Sequence, residues 1–363
     1  MTGSRAGVYL VAVAAALGTS AAPASAQADT APAPADSVQA GVLFESDAPL
    51  RLRFAGDLRT LLNDRDSLKA EYHPFTLVHR AGDATPGSVE VRIRTRGHWR
   101  RQKRNCDYPP LLLNFPQSKV EGTVFAGQNR LKLVTTCRPG RRDYEQYVLR
   151  EYLAYKIYNL LTPLSLRVRL ASTTYVDTTG RQDSLTTHTF LLEDAEQMAA
   201  RNGARLLDAK GGRFDIVDSL QLGLVGVFLY MIGGTDWSLS GLHNMEVVQN
   251  IDQGTFYPVA YDFDWTGIVD TRYAAPDPRL GLRSIRERLY RGRCLSGAHW
   301  NTVLGAFRDW QAEIYGLYEN LPGLDPRYVE ETRRYLDDFY RVIDDPRKLS
   351  SELLRRCRQE EGL

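Results

Sequence analysis

The sequence has no GxxxxGK[ST] segment, which excludes a P-loop nucleotide site. It has no GxSxG, no HExxH, and no SxxK accompanied by SDN or KTG, which sets aside the common serine-hydrolase, zincin and penicillin-recognising chemistries. Cysteine is scarce, with four in 363 residues, and neither CxxC nor HxxxH occurs, so zinc-ligand spacing is missing. An excess of one charge is missing too. The 46 Lys and Arg against 44 Asp and Glu leave a net charge of +2, so bulk charge implies no polyelectrolyte partner and nucleic acid is not expected as one. There are no internal repeats. Beyond the N-terminus there is no second long apolar run. Leu220 to Gly233 is too short to span a bilayer and reads as a buried helix, so no transmembrane segment is expected in the mature chain.

What is present begins with an address. Residues 1–26 carry Arg5, an Ala-rich apolar stretch and Ala24-Ser25-Ala26, the pattern of a secretory signal peptide cleaved after Ala26. Residues 27–41, rich in Pro and Ala, read as a disordered linker. An exported chain, periplasmic or secreted, makes an even count of cysteines a disulfide framework. Cys106, Cys137, Cys294 and Cys357 allow three connectivities. Cys106–Cys137 with Cys294–Cys357 is preferred, because each pair then falls within one half of the chain.

From Val42 to Val134 the pattern is that of strands. Leu50 to Phe54 and Val89 to Arg96 alternate, the second placing Val89, Val91 and Ile93 on one face and Arg92, Arg94 and Arg96 on the other. Asp57 to Lys69 reads as a short helix, and Leu111 to Phe115 and Arg130 to Thr135 as strands. Asp143 to Leu161 is the clearest helix, with Asp143 as its N-cap and Pro163 as its stop. Arg167 to Asp177 and Thr187 to Leu192 read as a hairpin, and Ala195 to Asn202 as a helix. Asp218 to Ile232, Ser284 to Tyr290, Ala298 to Asn320, Asp325 to Asp344 and Leu349 to Arg358 are helical by pattern, with short β pieces between the first two. The expectation is an α+β fold in two lobes, a β-rich lobe over residues 42–194 with one long helix and a helical lobe over 195–363.

Chemistry concentrates between Ile232 and Gly267. Asp236, Asn244, Asp262 and Asp264 are hard oxygen ligands without sulfur, a set suited to Mg²⁺ or Mn²⁺ shared with phosphates. The alternative is that they cap turns. Upstream, Lys132 sits in a strand, and Glu151 interrupts the apolar stripe Tyr144, Val148, Tyr155 of the long helix. A strand Lys paired with a helix Glu is how kinase-like folds hold nucleotide phosphates. Glu145 is the competing Glu, with fewer apolar neighbours. Arg92 to Arg104 holds seven Lys and Arg with His98 and Trp99. It is either a contact for phosphate or another anion, or a solvated basic edge strand.

In order along the chain, Val91 to Gly97, the Leu131-Lys132-Leu133 strand, the helix Tyr147 to Asn159, Leu192-Glu193-Asp194, Thr235-Asp236-Trp237 with His243-Asn244, and Tyr261-Asp262-Phe263-Asp264 resemble the CotH (spore-coat protein H) kinase-like family. The resemblance covers about residues 88–270 and implies an atypical protein-kinase-like two-lobe fold. It implies that Lys132 contacts phosphates, Glu151 orients Lys132, and Glu193 and Asp194 lie at an interlobe hinge beside the nucleotide. Asp236 becomes the catalytic base or the residue that orients the nucleophile, Asn244 and Asp262 the Mg²⁺ ligands, and Asp264 a second carboxylate. The function expected is ATP- and Mg²⁺-dependent modification of a protein substrate, by phosphorylation or a related transfer. Two other readings use the same residues. One is a non-catalytic envelope or secreted binding protein on the same scaffold, favoured by the scarcity of ATP outside the cytoplasm. The other is a metal-dependent hydrolase.

Overall fold

A computed structural model describes residues 42–360 apart from Ser67 and Ala209, so the expected signal peptide and linker lie outside the described residues. The alternating segments of the first half become β1 (Leu50–Gly56), β2 (His73–Ala81), β3 (Gly87–Thr95), β4 (Leu111–Asn114) and β5 (Arg130–Val134), joined by β6 (Val168–Asp177) and β7 (Leu185–Leu192). They close into a barrel in the order β1-β2-β3-β4-β5-β7-β6. Every neighbour pair is antiparallel except the closing one, where β1 runs parallel to β6 with Leu50 opposite Ala171 and Phe54 opposite Tyr175. Leu52, Phe54, Leu77, Val91, Ile93, Leu113, Leu131 and Leu133 point inward and are all but fully buried, as the period of two requires. The basic strand is therefore no edge. β3 is bonded to β2 on one side and β4 on the other.

Helix α1 (Leu58–Asn63) is shorter than the expected 57–69. Asp57 caps it, accepting from Thr60 N at 3.0 Å, while Asp64 turns back to accept from Glu71 N at 2.8 Å. Helix α2 (Arg142–Leu161) starts one residue before Asp143, with Arg141 at the N-cap. Asp143 instead lies in the first turn, facing the helix dipole and 2.7 Å from Arg272. Helix α3 (Ala195–Arg201) leads to a second, three-stranded sheet of β8 (Ala204–Leu207), β9 (Met245–Asn250) and β10 (Phe256–Ala260), and α4 (Ser219–Ile232) connects β8 to β9.

The C-terminal pattern needs three corrections. Residues 284–290 form no helix, because Arg288 binds the carbonyls of Met231 (3.0 Å) and Tyr335 (2.6 Å) and Arg286 binds Asp270 (3.0 Å). The expected helix 298–320 is two, α5 (Gly297–Asp309) and α6 (Gln311–Glu319), broken at Trp310. After α7 (Pro326–Asp344) and the short α8 (Pro346–Leu349), residues 350–354 form a π-turn rather than a long helix.

Two hydrophobic cores result. One fills the barrel. The larger combines α2, the outer faces of β5 to β7 and the C-terminal helices, so α2 is the seam between the β-rich and helical parts. The architecture is α+β. Cys106–Cys137 and Cys294–Cys357 are both bonded, the pairing preferred from the sequence, and two disulfides suit an oxidising compartment. Among the described residues, no helix is long and apolar enough to cross a membrane.

Candidate functional site

Three loops meet where α4 ends, β9 begins and β10 ends. Helix α4 stops at Gly233 in a left-handed turn, φ 69°, packed against Gly267. A Cβ at Gly267 would stand 2.7 Å from the carbonyl of Ile285, so only glycines allow this approach. The strain extends to side-chain-bearing residues. Leu242, Asn244, Asp262 and Asp270 all have φ between 49° and 63°. Such conformations cluster at functional loops, where the surrounding packing over-determines them.

That packing is visible at Asp262. Phe263 is buried among Tyr155, Phe228 and Tyr158, with ring centroids at 4.5, 5.3 and 6.2 Å. The Tyr155 hydroxyl accepts from the Asp262 N–H at 2.8 Å, and the Tyr158 hydroxyl accepts from the Ala260 N–H at 3.4 Å. Helix α2 thus fixes the backbone while the Asp262 carboxylate stays exposed. Asp236 is exposed as well. His243 Nε2 lies 2.9 Å from its Oδ1, and Asn244 Nδ2 donates to its carbonyl at 2.8 Å and to Oδ2 at 3.3 Å. Eight residues separate Asp236 from Asn244, and a bridge between Ser238 and His243, 2.9 Å in both directions, folds the extra length into a small hairpin that returns Asn244 to Asp236. Asp236, Asn244 and Asp262 line one small cavity. Beside it, a cleft of about 820 Å³ runs past Asp236 and His243 to Trp237, Trp265 and Arg291.

Asp264 departs from the expectation of a second metal carboxylate. It is buried, accepts from the Tyr273 hydroxyl at 3.1 Å, and lies 3.9 Å from Arg100 Nη1. Glu151 reaches the same guanidinium at 3.8 Å. The cation that answers Glu151 is therefore Arg100, and among the described residues no ion pair joins Glu151 to Lys132. Arg100 also donates to the Thr135 carbonyl, so one side chain ties the barrel, α2 and the Asp264 loop together. Burial, with the charge of Asp262 added, pushes the Asp264 carboxyl up to about 7, against the pull of Arg100 and Tyr273. Burial and Asp264 likewise hold Glu151 well above the usual carboxylate range.

Lys132 projects from β5 over the Tyr261 ring, 5.5 Å from its centroid. Burial and the neighbouring Arg96 push its ammonium below the usual lysine range, while Glu246, Asp194 and Asp262 oppose the shift. Lys132 and Glu151 are thus both within electrostatic reach of Asp262, although they do not pair.

The two acids expected at the hinge are held in contacts within the protein. Glu193 is fully buried and accepts from Arg167 Nε and Nη2 (3.1 and 3.0 Å) and Arg201 Nε and Nη2 (2.9 and 3.0 Å), which leaves its carboxylate closed to a ligand. Asp194 caps α3, accepting from Glu196 N at 2.9 Å.

For a metal, the exposed donors are the Asp236 and Asp262 carboxylates and the Asn244 amide. Among the described residues, no group of three or more His, Cys, Asp or Glu side chains could hold an ion alone. Such a donor set fits Mg²⁺, which binds through one or two carboxylates and completes its shell with water and phosphate.

Sequence reasoning missed Arg100, Tyr155 and Tyr273. Arg100 lay inside a segment flagged only for its charge, and Tyr155 inside a stripe flagged only as apolar. Comparison with protein-family models and with curated proteins returns no match.

Proposed function

We propose that the protein is an exported, periplasmic or secreted, CotH-like atypical kinase that uses ATP and Mg²⁺ to modify a protein substrate. The observation that carries this reading is the meeting of Asp236, Asn244 and Asp262 at one cavity, with Lys132 over the ring of Tyr261, which lines the same cavity. Asn244 and Asp262 would hold the ion, which supplies charge neutralisation at the phosphates when bound. Among the described residues Lys132 makes no ion pair and lies over the Tyr261 ring, which leaves its ammonium to meet a phosphate oxygen. Asp236, oriented by His243 and Asn244, would take the proton of an acceptor entering along the 820 Å³ cleft. Glu151 does not orient Lys132 in this scheme. It fixes Arg100 and, through it, the Asp264 loop.

A second reading, a non-catalytic binding protein on the same scaffold, is favoured by the missing Lys132–Glu151 pair and by the closure of Glu193 onto two arginines. Thermal unfolding with ATP and Mg²⁺ separates the two. A live site raises the midpoint by linkage, and Asp262→Ala abolishes the rise. No rise at millimolar nucleotide, or an equal rise in the variant, overturns the kinase reading.

A further inference from the structure

The outer face of the barrel carries a ladder of cations that the loops around Asp262 do not absorb. Arg92 and Arg94 lie on the outer face of β3, and Arg96 extends the strand, its N–H bonded to the Pro110 carbonyl at 2.8 Å. Four residues of strand span about 13 Å, so the three guanidinium stems stand on one face at every second residue. In the neighbouring strands, Arg94 is opposite Leu112, which is opposite Lys132, and Arg92 is opposite Asn114, which is opposite Arg130. The result is a two-row grid of cations leading to the loop of Asp262.

Ordinary explanations for such a row fail here. Edge protection does not apply, because β3 is paired on both sides in a closed barrel. Ion pairing does not apply either. Among the described residues Arg92, Arg94, Arg96 and Lys132 have no salt-bridge partner, and only Arg130 reaches one, Glu196 at 3.9 Å. Arg94 packs on Tyr72, 5.1 Å from the ring centroid, and its Nε is buried without a hydrogen-bond partner. Carboxylates flank the row at its two ends, Glu90 next to Arg92 on the outer face of β3 and Glu246, Asp194 and Asp262 around Lys132, and the like charges between them create a positive field that the near-zero net charge of the chain conceals.

We infer that this face binds a linear polyphosphate chain. Guanidinium groups bind phosphate oxygens bidentately, and a phosphate chain offers charge at every unit along the ladder. An acidic peptide fits less well, since β3 has no free backbone edge for strand addition and only alternate side chains could reach the arginines. A nucleic acid would call for open aromatic rings between the cations, and Tyr72 on this face already lies under Arg94. The inference shares Lys132 with the nucleotide reading, but it needs neither Asp262 nor a metal.

Calorimetry of the full chain with linear polyphosphate at two salt concentrations tests it. The expected result is binding that weakens steeply with salt, with affinity lowered roughly tenfold or more and a shallower salt slope in Arg92→Gln/Arg94→Gln. Arg92→Gln alone, at an exposed position, keeps the test valid if the double variant does not fold, and should give a smaller loss in the same direction. Asp262→Ala should bind polyphosphate as the parent does while losing its ATP–Mg²⁺ response, so either proposal can fail alone. Equal affinity in parent and Arg92→Gln, or equally tight binding of polyglutamate or a single-stranded oligonucleotide of matched charge, overturns the inference.

Discussion

The hydroxyl of Tyr155, in the middle of α2, accepts a 2.8 Å hydrogen bond from the backbone N–H of Asp262, a residue held at φ 63°. A core helix therefore sets the conformation of an exposed carboxylate more than a hundred positions away. Tyr155→Phe keeps the ring packing on Phe263 and removes only the acceptor. It should cost about 1 kcal/mol of stability in chemical denaturation. The ATP–Mg²⁺ response should weaken more than that cost explains, because Asp262 loses its anchor. An unchanged response would show that the loop holds Asp262 without Tyr155.

The Arg100 cluster makes a prediction about pH. Burial pushes the Asp264 carboxyl up to about 7 in the folded chain, against the ordinary aspartate value of 3.8 when unfolded. Between those values the folded state holds the proton more tightly, so stability should fall as pH rises through that window. Glu151, shifted in the same direction, adds to the slope. Urea midpoints measured from pH 4 to pH 8 should decline, and Asp264→Asn should flatten the decline. A parallel decline in the variant would assign the slope elsewhere.

Removing the cation from that cluster should be severe. Arg100→Met leaves two buried carboxylates without a cation, Asp264 keeping only the Tyr273 hydroxyl, and breaking buried pairs this way typically costs about 3–5 kcal/mol. The loss should be smaller at acid pH, where both carboxyls are protonated, and denaturation at pH 5 and pH 8 checks this. An equal loss at both would mean that Arg100 acts through packing and its bond to Thr135 alone.

Glu193 separates structure from ligand binding. Glu193→Gln leaves Arg167 and Arg201 facing a neutral group and should lower stability by roughly 3 kcal/mol, discounted for the partial exposure of both arginines. Any stabilisation by ATP and Mg²⁺ should persist on the lowered baseline. Its selective loss would return Glu193 to the ligand site.

The disulfide between Cys106 and Cys137 closes a loop with a sequence separation of 31, and opening it should cost roughly 3–4 kcal/mol by chain entropy. Arg100 lies just outside that loop, six residues before Cys106, and donates to the carbonyl of Thr135, two residues before Cys137. Cys106→Ser/Cys137→Ser should therefore also reduce the pH dependence described for Asp264, which melting curves across pH would reveal. A melting point that falls with the pH slope unchanged would show that Arg100 is held without the disulfide.

Much of this was determined by the sequence itself. Alternation specified which faces of β1 and β3 are buried, because a strand's side chains alternate whatever its partners. The long helix with its apolar stripe, the disulfide pairing and the α+β class were legible for the same local reasons. The irregular run at 284–290 was not, because its helix-like pattern loses to three distant carbonyl and carboxylate partners. Only tertiary structure decided that β1 closes on β6, that Glu151 answers Arg100 rather than Lys132, and that Asp264 is buried while Asp262 is exposed. Partner choice of this kind depends on strand register, barrel closure and the seating of one loop against another. Several cations compete for each carboxylate along the chain, and distance in the folded molecule selects among them.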